Sequence, residues 1–76
     1  MNAEKIKNRI NEICTHFLFE YNGIYCGVDP FNKNKFEMWY DKDFHVAKSI
    51  DEVMTYPMFD GKSLEEICDK IDIISW

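Results

Sequence analysis

Asn22-Gly23 sits between two runs of alternating side chains, and no other feature of this 76-residue chain narrows the fold as far. Phe17, Phe19 and Tyr21 alternate with His16, Leu18 and Glu20 before it, and Ile24, Cys26 and Val28 follow at every second position. A type I′ turn needs positive φ at both central residues, which Gly adopts freely and Asn tolerates, so the dipeptide predicts a two-residue β-hairpin. Its register pairs Tyr21 with Ile24, Phe19 with Cys26 and Phe17 with Val28 on one face. The opposite face pairs Glu20 with Tyr25 and Leu18 with Gly27. A slip of one residue would mix the two sets.

The hairpin extends into a meander. Asp29-Pro30 is expected to end the second strand, because proline donates nothing to a ladder and restricts the residue before it. After the polar loop Asn32, Lys33 and Asn34, a third strand places Phe36, Met38 and Tyr40 on one face and Glu37 and Trp39 on the other. Asp41-Lys42-Asp43 reads as a short turn into a fourth strand, Phe44 to Ala47. Pairing Tyr40 with Phe44 and Met38 with Val46 keeps one face apolar and assigns Phe44 to the core with Phe17, Phe19, Phe36 and Tyr40.

Helices flank the strands. Ala3, Ile6, Ile10, Ile13 and Cys14 recur at intervals of three and four, with Asn2 as N-cap and Glu4 placed against the helix dipole. Ser49 with Glu52, and Ser63 with Glu66, are capping-box signatures. Ile50, Val53 and Met54 follow the first, and Pro57 keeps that helix short. Asp60-Gly61 turns the chain, and Leu64, Ile67, Cys68 and Ile71 form an apolar stripe after the second. The tail from Ile71 to Trp76 is expected to be extended, packing Ile73 or Ile74 and Trp76. The fold class is α+β, ordered α-β-β-β-β-α-α, as a single domain over residues 1–76. One sheet face is covered by helices and the other is left partly open.

A chain this short buries only about 60% of its unfolded surface. Aromatic residues, 16% of the total, supply the needed area with few side chains. No apolar run approaches the roughly 20 residues of a spanning helix. Glu4, Lys5, Lys7, Arg9 and Glu12 interrupt residues 1–14, so no signal peptide is expected. Cys14, Cys26 and Cys68 are odd in number and irregularly spaced, which predicts buried free thiols and a cytoplasmic protein. Eight lysines against the single Arg9, with many Ile and Asn, match the usage of AT-rich bacterial or phage genomes, so a bacterial or prophage origin is expected.

Chemistry-bearing residues are sparse. Cys14, His16, Cys26, His45 and Cys68 lack the close pairs of a zinc site apart from Cys14-Thr15-His16, and no metal is expected. Gly23, Gly27 and Gly61 form neither a phosphate loop nor a dinucleotide fingerprint, so no cofactor is expected. His16 and Glu20 share a strand face, but a solvated polar surface explains them, and no catalytic residue is expected. Net charge is −5, and residues 41–76 hold nine acids against four lysines while residues 1–40 balance.

The remaining candidate is a surface: Leu18, Tyr25, Glu37 and Trp39 on the second sheet face. An aromatic patch beside an acidic flank predicts a non-enzymatic protein-interaction domain, such as a small regulator, adaptor, or inhibitor or immunity-type protein. One alternative is a homodimer that covers the same face. Another is a nucleic-acid-associated protein stacking bases on Tyr25 and Trp39, with Lys5, Lys7, Arg9, Lys33 and Lys35 as its basic patch. The net charge opposes that last reading.

Overall fold

The computed structural model of the protein describes residues 2–13 and 16–75. Its elements are α1 (Ala3–Asn11), β1 (Phe17–Tyr21), β2 (Ile24–Asn32), β3 (Lys35–Tyr40), β4 (Asp43–Ala47), α2 (Ile50–Thr55), α3 (Leu64–Ile67) and β5 (Asp72–Ser75). The strands form one antiparallel sheet in the order β4-β3-β2-β1-β5, so the expected α+β meander is present. The extended tail becomes β5, which pairs with β1 at the opposite edge from β4. A bulge between Leu18 and Phe19 lets Ile73 pack on the core while Ile74 is exposed. Trp76 and Cys14, both assigned apolar packing from the sequence, lie outside the described residues.

The first hairpin has the register expected of it. Asn22 and Gly23 take φ values of 55° and 75°, and Tyr21, Phe19 and Phe17 lie opposite Ile24, Cys26 and Val28. Three features differ from expectation. First, β2 runs through Pro30 to Asn32, with Pro30 opposite Phe36. Residues 24, 26 and 28 bond toward β1, so the N–H that Pro30 lacks would point that way as well. Among the described residues the ladder with β1 ends at Phe17, so Pro30 interrupts no rung of it.

Second, the turn after β3 has two residues, not three. Tyr40 pairs with Asp43, and Asp41 carries the positive φ of 56°. Met38 then faces His45 and Phe36 faces Ala47, which moves Phe44 and Val46 to the outer face. Phe44 is 61% exposed and is not a core residue. The physical reason lies in α2. It supplies Glu52, whose Oε2 lies 2.5 Å from Nε2 of His45, and Ala47 of β4 is fully buried. The imidazole also stacks on Tyr56 with ring centroids 3.6 Å apart.

Third, the helices are shorter than their apolar stripes. α1 ends at Asn11, and Ile13 leaves it at φ 56°. α3 has only four residues, so Cys68 and Ile71 follow it, half-buried, as non-helical neighbours of the core. The caps act as expected at Asn2, whose Oδ1 accepts from the Lys5 N–H at 2.8 Å. Ser49 Oγ accepts from the Glu52 N–H at 3.1 Å, but the Glu52 carboxylate turns to the Lys48 N–H and His45 and does not close the box. At α3 the Glu66 carboxylate accepts from the Ser63 N–H at 2.9 Å and its hydroxyl at 3.0 Å, which holds its carboxyl below the ordinary range.

Ile6, Ile10, Val53, Met54, Leu64 and Ile67 of the helices pack on Phe17, Phe19, Val28, Phe36 and Met38 of the sheet. Phe59, between α2 and α3, is fully buried and closes the core against Phe19 and, edge-on, Tyr40. It is held by a small bridge to Lys62 around Asp60-Gly61, whose φ values are 58° and 78°. All this packing lies on one side of the sheet.

Candidate functional site

No described helix lies over the other side of the sheet. Strand alternation puts Leu18 and Glu20 of β1, Tyr25, Gly27 and Asp29 of β2, Glu37 and Trp39 of β3, and Phe44 and Val46 of β4 on this face. The pairings order them into rows. Leu18, Gly27, Trp39 and Phe44 stand in register across four strands. On one side of that apolar row run Glu20 and Tyr25, followed by Asp41, whose N–H donates to the Tyr25 carbonyl. On the other side run Asp29, Glu37 and Val46. Asp72 of β5 lies opposite Glu20. An apolar row is thus framed by two rows whose charged side chains, Glu20 and Asp41 on one side and Asp29 and Glu37 on the other, are carboxylates.

Gly27 is the position that shapes the middle row. A Cβ there would lie 2.2 Å from Cζ2 of Trp39 and 2.6 Å from Cη2. Real carbon contacts begin near 3.5 Å, so the indole rests directly on the Gly27 backbone in space that only glycine leaves. The φ of Gly27 is outside the left-handed region, so the requirement comes from close approach and not from a turn. Beside the indole, Gly23, Ile24, Tyr25 and Asp41 complete an open depression of about 510 Å³.

The structure brings the four sequence-predicted residues onto this one face. Tyr25 is 48% exposed, and Leu18, Glu37 and Trp39 are half-buried. The structure adds Phe44, Val46, Asp29 and Asp41 to the face, and makes Glu20, which the sequence places opposite Tyr25, part of its frame. The misassigned β4 register concealed the first two. Glu20 and Asp29 were legible from the hairpin alternation alone.

Other candidates resolve differently. Cys26 is buried, its thiol donates to the Ile24 carbonyl at 3.2 Å, and burial pushes its pKa up to about 11, so it is poor as a nucleophile. Cys68 is half-buried and His16 is exposed. Among the described residues no group of three or more His, Cys, Asp and Glu side chains is arranged to hold a metal ion. A groove of about 520 Å³ beside β4 is lined by His45, Tyr56, Pro57 and Asp60 among others. Its imidazole is engaged by Glu52, whose carboxyl is held below its ordinary range by His45 and the Lys48 N–H. That pair ties β4 to α2. No described helix is long and apolar enough to cross a membrane. Compared with protein-family models, with curated proteins and with solved structures, the chain matches none of them.

Proposed function

We propose that the protein is a non-enzymatic interaction domain of bacterial or mobile-element origin that docks a basic protein surface on its uncovered sheet face. The observation that carries this reading is the Leu18–Gly27–Trp39–Phe44 row lying between two rows of carboxylates. Exposed aromatic rings on a rigid sheet are the side chains that dominate interface energetics, since they bury large areas at small entropic cost. The flanking carboxylates favour a partner with lysine or arginine around an apolar strip, speed its approach and reject acidic surfaces. With extents of 28 × 23 × 18 Å, the molecule offers a face on the order of 600 Å², near the ~800 Å² per partner of a standard interface.

The same rows weigh against the two alternatives. A two-fold dimer through this face would set Glu20, Asp29 and Glu37 against the carboxylates of the second copy. Nucleic-acid phosphates would meet the same repulsion.

The test is affinity capture from the native host with the wild-type domain and with Trp39→Ala, both checked for folding by circular dichroism. A basic protein retained by the wild type, released by raised salt and absent from the Trp39→Ala capture is expected. Equal recovery by both would overturn the proposal.

A further inference from the structure

We infer that the depression between Trp39, Tyr25 and Asp41 is the seat for an arginine side chain of the partner. This rests on the docking reading above and names the group that the face would recognise. Trp39 and Tyr25 supply two π-surfaces, and tryptophan is the strongest cation–π partner among side chains. The indole is bedded on Gly27 and so is held in place without the rotamer freedom of an exposed tryptophan. Tyr25 pairs with Glu20 of β1, and on its other side Asp41, in the turn after β3, lines the depression. The Asp41 backbone is placed by its position in the two-residue turn, with its amide nitrogen 3.5 Å from the Tyr25 carbonyl oxygen.

The site is charged on one side only. No lysine or arginine lines the depression. The ion pairs recorded among the described residues, Lys7–Asp51, Arg9–Glu12 and His45–Glu52, use neither Glu20 nor Asp41. A cation arriving from outside is the complementary charge. A guanidinium fits better than an ammonium, because its plane stacks on an indole while its fork bonds a carboxylate. The depression, at about 510 Å³, has room for that side chain and part of its backbone.

The test titrates N-acetyl-arginine methylamide and the corresponding lysine amide into ¹⁵N-labelled protein, following the Trp39 indole N–H and the Tyr25 and Asp41 amides. Saturable shifts confined to these signals are expected, with the arginine amide binding about threefold tighter. Asp41→Asn should weaken it about fivefold with the rest of the spectrum unchanged, since asparagine also accepts the positive φ of that turn. Shifts spread over the exposed carboxylates, no preference for arginine, or undiminished binding to Asp41→Asn would each overturn the inference. The two readings fail separately. A partner that is lost with Trp39→Ala but held unchanged by Asp41→Asn would leave the docking face and remove the arginine seat. An arginine amide that maps to the depression, without any captured basic protein, would do the reverse.

Discussion

Replacing Gly27 with alanine should lift Trp39 off the sheet, and the size of the effect follows from one distance. The added Cβ would lie 2.2 Å from Cζ2 of the indole. An ordinary contact needs ~3.5–4.0 Å, so the ring must retreat by roughly 1.5 Å or swing into solvent. Forced overpacking typically costs about 1–3 kcal/mol. Against this, alanine gains ~0.5–1 kcal/mol over glycine in an element interior through chain entropy. The net destabilisation expected is about 0–2.5 kcal/mol, a fall in Tm of up to roughly 20 °C for a domain of this size. The decisive assay is a double-mutant cycle by urea denaturation. In a Trp39→Ala background the obstacle is gone, and Gly27→Ala should be neutral or stabilising. The coupling between the two sites should then be about 1–3 kcal/mol. An equal cost of Gly27→Ala in both backgrounds would refute the claim that the indole occupies the space over the glycine.

Phe44→Ser should change stability by less than ~0.5 kcal/mol, because its ring is mostly exposed. A core phenylalanine would lose ~3–5 kcal/mol on truncation, so chemical denaturation separates the observed register from the one read in the sequence. Acid should act through Glu52 and Glu66, whose folded values both lie below the ordinary one. Their contribution is complete above the unfolded carboxyl value of ~4.3 and is lost as pH falls through the lower folded values. Stability measured between pH 7 and pH 3 should therefore hold until about pH 4.3 and then decline, less steeply in Glu52→Gln.

The parts of the fold legible in the sequence are those where local chemistry and tertiary packing agree. Asn22-Gly23 specifies both its turn and its register, because positive φ at two successive residues leaves few other conformations. Asp41-Lys42 does not announce itself this way. No glycine marks it, and the burden of positive φ falls on an aspartate. The apolar alternation of Phe44 and Val46 then invited the wrong face. What overrides it is distant in sequence: Glu52 receives His45, and Ala47 is buried in the core. No pattern within residues 41–48 contains that information. Phe59 escaped for the same reason, since a lone aromatic between Pro57 and a turn has no period to betray its burial. The candidate face was half readable. Tyr25, Trp39, Glu20, Asp29 and Glu37 follow from the hairpin and third-strand alternation, whereas Phe44 and Val46 require the register of β4 and Asp41 requires its rung with Tyr25.

The place of β5 in the sheet also dictates an order of assembly. Every other strand pair joins chain neighbours through a turn of a few residues, whereas β5 must close the span from Phe19 to Ile73. Loop closure over such a span is entropically slower than hairpin formation. During synthesis β1 to β4 are complete before β5 exists. Until it arrives, Leu18 and Glu20 present unpaired backbone groups along the outer side of β1, a template open to any extended segment nearby. The nascent meander is therefore exposed to mispairing at β1, and the last four-residue strand is what ends that exposure.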